Sequence, residues 1–508
     1  GIEDFNEMET IGSTDKINIV VQIDRIEGND SSNGDWIDTR RYYITKDEDN
    51  KTITSQLVEN IGEANMGNPE TLSKFINWSI RNYPAKYYAL FIWDHGGGFY
   101  GVAWDDTDKD YLDMKNLSQG LGFLREKKID IIGFDACLMG MIEVFYQIRE
   151  YGKIGIGSEP MEPGDGWPYE NILKKLASNP AMIPNEFAKE IVYAYVDSYS
   201  DGKDDPNDSP AVTMSAYSLD KIDSVTEYMD EFFMRLSLVI GKPFYNTLLR
   251  EARSRTIGFD PGHIVFLDIA NYPNYDLYDL VNNIIHPTYG PLIPSMIDKK
   301  IKESGEALLA SLNEALIANK NGVKYYNAHG VAIYFPSGNL SIEPGPRTNY
   351  DIRYDATDFA EDLFWNELLH YYHDLHSAEN TPPTLKITSP SNFEKIKLKN
   401  GKLKIEGKAF DVEKVEKVFV KINEGKWLEA KGTEKWEYKL EKKIGVHRIY
   451  AKASDGSLES TIDEIEINIV GEEKKENFLP YILGSCTAIV IFIFICSYFY
   501  YKKYKTVQ

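Results

Sequence analysis

Two largely apolar runs, Tyr87–Trp93 and residues 129–134, are each followed by an aspartate that opens a turn. Four to eight apolar residues bounded by Gly or Asp suit a strand covered on both faces, as in a parallel sheet. Between residues 210 and 376, candidate strands at 211–217 and 329–335 alternate with helical periods such as 222–236 and 359–375. This alternation predicts an α/β class with a mostly parallel sheet flanked by helices, its core over 1–209 and its completion over 210–376. Beyond a paired-proline linker at 377–384 the period changes to two. Leu403 and Ile405, then Val418, Val420 and Ile422, then Trp436, Tyr438 and Leu440, then Ile465, Ile467 and Ile469 alternate with polar residues. Short half-buried strands of this kind over 385–470 predict an immunoglobulin-like sandwich without a cysteine pair. Residues 478–500 carry no charge over 23 positions, which at about 1.5 Å per residue spans a hydrocarbon core of about 30 Å. Tyrosines crowd the distal end, and Lys502, Lys503 and Lys505 follow. A transmembrane helix is expected there, with residues 501–508 cytoplasmic and the catalytic part outside the cell.

Chemistry sits where the two apolar runs stop. His95 lies in Asp-His-Gly-Gly-Gly (94–98) and Cys137 in Asp-Ala-Cys-Leu-Met (135–139), so both leave the carboxyl ends of buried strands. Ligands and catalytic groups collect at that end of such sheets, which brings the two together. Thiol catalysis needs this pairing, because the thiolate attacks while an imidazole lowers the thiol pKa and returns a proton to the leaving group. His95 precedes Cys137 by 42 residues, the order and rough spacing of a caspase, where about 50 separate the pair. Taken alone, Gly96 to Gly98 equally suit a tight turn, and His95 a structural histidine.

The stretches 87–100 (YYALFIWDHGGGFY), 129–141 (IDIIGFDACLMGM) and 162–169 (EPGDGWPY) resemble clostripain-family cysteine peptidases, which share the caspase and gingipain fold. The resemblance covers roughly residues 1–376 and implies a cysteine endopeptidase with His95 as general base and acid and Cys137 as nucleophile. It makes the amides of Gly96 and Cys137 the oxyanion donors, and glycine suits that task because no Cβ obstructs the N–H. It also matches Asp135 and Asp165 to positions lining the pocket for an Arg or Lys before the cut bond. Side chains two apart on an extended segment point the same way, which puts Asp135 beside the Cys137 sulfur. Helix capping by Asp135 and a turn role for Asp165 are the structural alternatives.

Residues 104–111 read as a polar loop between the catalytic positions. The resemblance implies self-cleavage after a basic residue there, with Lys109 best placed and Lys115, Lys127 and Lys128 behind it. Asp106, Asp108 and Asp110, and the acidic stretch 201–208, offer oxygen ligands for calcium, although neither completes an EF-hand loop. No other cofactor is implied. His370, His373 and His376 share a helix face, but no metalloprotease carboxylate stands between them, so a polar surface accounts for them.

Composition narrows the partners. A net charge of −23 and a pI near 4.9 argue against nucleic acid and suit protein or peptide substrates with basic residues. Of three cysteines, Cys486 and Cys496 fall in the charge-free segment, so the remainder holds one free thiol. The resemblance expects a further strand ahead of the helix at 1–11, and a sheet without that central strand is not expected to be stable. A non-catalytic surface adhesin using the sandwich is the alternative from another class.

Overall fold

The computed structural model describes residues 1–28, 30–200, 211–259, 263–264, 269–270, 273–287, 296–336, 353–374, 383–397, 402–410, 414–441, 443–460, 462–470 and 489–495. The chain forms two compact units, one of Gly1–Met229, Arg250–Phe359 and Gly484–Gln508, the other of Asp230–Leu249 and Ala360–Leu483.

Among the described residues, the first unit is built on a nine-stranded sheet. From edge to edge its strands are Leu316–Asn321, Thr213–Ser218, Gly152–Gly157, Ile129–Asp135, Tyr87–Trp93, Ile489–Ile495, Ile17–Ile23, Thr39–Tyr43 and Gln56–Gly62. The five central strands run parallel, and an antiparallel pair closes each edge. The sheet is therefore mixed, and the expected parallel character holds for its centre alone. Connection length explains the difference. Parallel neighbours need a crossover, which the helices Pro69–Asn82, Met114–Leu121 and Ile142–Ile148 supply, whereas Ile17–Ile23 returns to Thr39–Tyr43 without a long helix and so pairs antiparallel. Asn68 and Asp113 cap two of those crossover helices through their side chains.

One face of the sheet presents Ile17, Ile19, Val21, Phe91, Ile131, Ile154 and Ile156 to Phe5 and Met8 of helix Ile2–Ile11, to Leu173 of Tyr169–Ser178 and to Phe187 and Ile191 of Pro184–Ser200. Gly133 in this face leaves room for the Trp167 ring, since a Cβ there would lie 2.9 Å from it. Burial of both faces is what the continuous apolar runs foretold.

The place between Ile17–Ile23 and Tyr87–Trp93 belongs to Ile489–Ile495. Ile489 stands opposite Ile17 and Tyr87, and Ile495 opposite Ile23 and Trp93. No central gap is left in the sheet. The expected transmembrane helix is thereby corrected over these seven residues, which are a strand. A charge-free run of β-branched and aromatic residues fits a doubly covered strand and a membrane segment alike, and length, the distal tyrosines and the lysines beyond favoured the helix. Residues 478–488 and 496–508, with the rest of that expected span and its basic tail, lie outside the described residues. Among the described residues no helix is long and apolar enough to cross a membrane.

In the second unit two sheets face each other. One has the order Thr384–Ser389, Lys402–Phe410, Lys435–Glu441, Lys431–Gly432; the other Lys395–Lys397, Asp463–Val470, Gly445–Ser454, Lys417–Ile422, Leu428–Glu429. The period-two residues Leu403, Ile405, Val418, Val420, Trp436, Ile465, Ile467 and Ile469 form the core between them. Helical residues 230–249 and 365–374 belong to the same unit. There the buried Asp230 accepts from the Phe364 amide (2.9 Å) and from Lys408 Nζ (2.6 Å).

Candidate active site

The histidine strand Tyr87–Trp93 and the cysteine strand Ile129–Asp135 are direct neighbours, with Trp93 opposite Asp135. The Asp94 amide still donates to the Asp135 carbonyl at 3.3 Å. Past that point both chains turn sharply. Asp94 has φ 148° and Leu138 φ 65°, positions costly for non-glycine residues and characteristic of functional turns.

Gly96 carries the contact between the two turns. A Cβ at Gly96 would lie 2.2 Å from the Cys137 carbonyl oxygen and 3.0 Å from the Cys137 nitrogen and Ala136 Cβ. The glycine backbone therefore rests directly on the Cys137 backbone, and an added Cβ would clash there. On its far side Gly96 bridges Val102. The Gly97 amide donates to Gly101 O (2.9 Å) and the Ala103 amide to His95 O (3.2 Å); the Gly96 N–H takes no part in this pairing. The Gly96 and Cys137 backbones thus lie against each other at the two turns.

The nucleophile turn is fastened to residues 158–162. Leu138 N–H donates to Pro160 O (3.1 Å) and Gly140 N–H to Ser158 O (2.8 Å). The Cys137 Sγ accepts from the Glu162 amide at 3.2 Å and stands 3.8 Å from the Glu162 carbonyl oxygen. Burial, and next the Glu162 carboxylate, push the thiol up to about 12. Burial likewise pushes His95 down to about 4. Both groups are neutral near pH 7, because each is withdrawn from water.

Beside the sulfur lies a buried carboxyl pair. Asp135 accepts from Tyr169 Oη (2.9 Å) and the Trp167 amide (3.4 Å). The buried Glu162 carboxyl group hydrogen-bonds with Asp135, the Trp167 side chain and the Ala136 backbone, and Tyr195 Oη is buried nearby without a hydrogen-bond partner. Burial, then Asp4, hold Asp135 well above the usual carboxylate range. Burial, then Asp135, do the same for Glu162. Asp165 is exposed on the turn that Gly166 closes; Tyr199, which donates to Gly166 O at 2.6 Å, feels the charges of Glu162, Asp135 and Asp165. Sequence reasoning missed Glu162. The available signal was its place just past Gly152–Gly157, the next parallel strand in the sheet.

The polar stretch 104–111 is a two-stranded hairpin, Val102–Asp105 with Asp110–Leu112, rather than a loop. Trp104 stacks on Tyr111 with ring centroids 4.3 Å apart, a cross-strand pair hidden by the surrounding charges. Lys109 is exposed in its turn at φ 54°. Asp110 accepts from Asn65 (2.8 Å), while Asp106 and Asp108 are exposed. The carboxylates that converge among the described residues are instead Asp24, Glu63 and Asp105, with oxygens within 4.8 Å of one another. Their chemistry suits a hard cation such as calcium. Asp24 and Asp105 already have partners in Thr39 and in the amides of Met66, Thr107 and Asp108. The stretch 201–208 and His376 lie outside the described residues.

With this geometry in place, comparison with known proteins is decisive. The sequence model of the clostripain family, Peptidase C11, matches residues 1–372. The chain belongs to the clostripain family. Clostripain of Hathewaya histolytica is 28% identical over 341 residues, covering 56% of this chain and 62% of that protein. The chain thus spans less than two thirds of the length of that clostripain. A secreted C11 cysteine protease of Bacteroides thetaiotaomicron in complex with an irreversible peptide inhibitor covers 70% of this chain, with 91% of its own covered, at 18% identity and TM-score 0.49. For an inactive zymogen C11 protease of Parabacteroides distasonis the values are 70%, 90%, 19% and 0.47.

Proposed function

We propose that the protein is a cysteine endopeptidase cutting after Arg or Lys, with Cys137 as nucleophile and His95 as general base and acid. The observation that carries this reading is the seat of the Gly96 backbone on that of Cys137, which joins the two motif turns at one end of the sheet. Because thiol and imidazole rest neutral, the reaction begins with proton transfer from Sγ to His95 within the substrate complex. Sulfur attacks the scissile carbonyl, and the oxyanion forms beside the Gly96 and Cys137 amides. The protonated His95 gives its proton to the leaving amine, and a water deprotonated by His95 then hydrolyses the thioester. Asp135 attracts the substrate cation and Asp165 guards the rim, since a buried carboxylate favours a cationic partner. The test is hydrolysis of fluorogenic Arg, Lys and Asp peptides by the full chain; cleavage after Asp at equal rate would remove the pocket.

Exposure of Lys109 in a hairpin turn supports self-processing there, and a single intact chain in an active preparation would dismiss it. Two facing sheets of short strands support an immunoglobulin-like spacer; no observation favours an adhesin over the peptidase. Calcium enters no step; it would be held by Asp24, Glu63 and Asp105, and restoration by calcium of activity lost in EGTA would support it. Membrane attachment is supported by the charge-free run 478–500 and the lysines after it. It requires residues 489–495 to leave the sheet, and a full-length chain that fractionates as soluble would exclude it.

A further inference from the structure

Glu162 holds both sides of the proposed site. Its amide donates to the Cys137 sulfur at 3.2 Å, while its buried carboxyl group hydrogen-bonds with Asp135 and with the Trp167 side chain. Tyr195 Oη, buried without a hydrogen-bond partner, belongs to the same cluster, since Tyr195 feels the charges of Glu162, Asp135 and Cys137. Two carboxyl groups paired away from water favour a cationic partner, because each is costly to ionise there without one. A guanidinium or ammonium supplies several donors and the opposite charge at once.

Resting on the Arg/Lys reading above, we propose that Glu162 is the second acid of the substrate pocket, and that a basic side chain bound between Asp135 and Glu162 activates the thiol next to it. The mechanism is electrostatic. Negative charges on Glu162 and Asp135 disfavour the thiolate. A bound cation offsets them, so the Sγ proton leaves more easily for His95 only when the correct residue is seated. Selectivity would then appear in the chemical step as well as in binding.

The experiment compares the full chain with its Glu162→Gln and Glu162→Asp forms on Arg peptides and on peptides with uncharged norleucine in the same place. Glu162→Gln should lower kcat/KM for Arg by about 10- to 100-fold, the range of one charge-assisted hydrogen bond, and narrow the preference for Arg over norleucine by at least that factor. Glu162→Asp should restore part of the Arg preference. Equal losses on both peptides would reduce Glu162 to a scaffold, and no loss would dismiss it; either overturns the inference. Wild-type protein without preference for Arg over norleucine would defeat the pocket reading itself, a distinct outcome. The second readout is the pH dependence of Cys137 alkylation by iodoacetamide with and without agmatine. Agmatine should lower the apparent thiol pKa of the wild type and leave that of Glu162→Gln unmoved. The same shift in both proteins would overturn the coupling.

Discussion

Replacing Gly96 by alanine tests the site geometry through a single methyl group. The added Cβ would sit 2.2 Å from the Cys137 carbonyl oxygen, whereas carbon and oxygen approach to about 3.3 Å at closest. The two turns must separate by about 1 Å. Displacement of that size at reacting groups costs about 100-fold, and loss of one oxyanion donor about 100- to 1000-fold in kcat. Gly96→Ala should therefore lose about two to three orders of magnitude in kcat on an Arg peptide. Overpacking adds about 1–3 kcal/mol of destabilisation, small enough for a folded protein to be purified. Steady-state kinetics beside a urea melt separate the two effects. A folded variant with kcat within about threefold of the parent would refute the seating of Gly96 on Cys137, and with it the proposed oxyanion site.

Two further outcomes follow from buried titrating groups. Only neutral His95 can act as base, and burial holds its pKa down to about 4, so the acid limb of kcat/KM should fall near pH 4 to 5; a limb at about 6.5, the ordinary histidine value, would contradict this. Glu143, fully buried, accepting from the Tyr334 amide and Tyr354 Oη at 2.9 Å each, is raised from 4.5 to about 7. A carboxyl raised by folding binds its proton more tightly in the native state. Its contribution is therefore complete below pH 4.5 and lost as pH climbs through about 7, at most about 3 kcal/mol for 2.5 units. Glu143→Gln cannot lose it, so urea midpoints of parent and variant should diverge between pH 5 and 8 in the variant's favour, and parallel midpoints would refute the buried charge.

The meeting of the two motif turns was legible because its physics is local. Apolar runs ending in Asp-His-Gly and Asp-Ala-Cys locate two buried strand ends, and sheet geometry does the rest. The sandwich was equally readable, since alternate burial imposes a period of two on Val418, Val420 and Ile422. Other features depend on contacts between distant residues. The hairpin 102–112 hides behind charges because its stabilising pair, Trp104 on Tyr111, spans the turn. Glu162 reads as an ordinary loop acid until the backbone carries it to Cys137, 25 residues away in sequence. For residues 489–495 the ambiguity is intrinsic. Bilayer and sheet interior select the same charge-free composition, and only the strand neighbours decide.

Covalent labelling tests the central claim most directly. A peptidyl acyloxymethyl ketone ending in Lys offers the thiolate a methylene carbon, forming a thioether as the carboxylate leaves. Peptide mass mapping should find one adduct, on Cys137, in the parent and far less in His95→Ala. An adduct elsewhere, or equal labelling without the imidazole, would contradict a His95-activated Cys137 as the reacting centre.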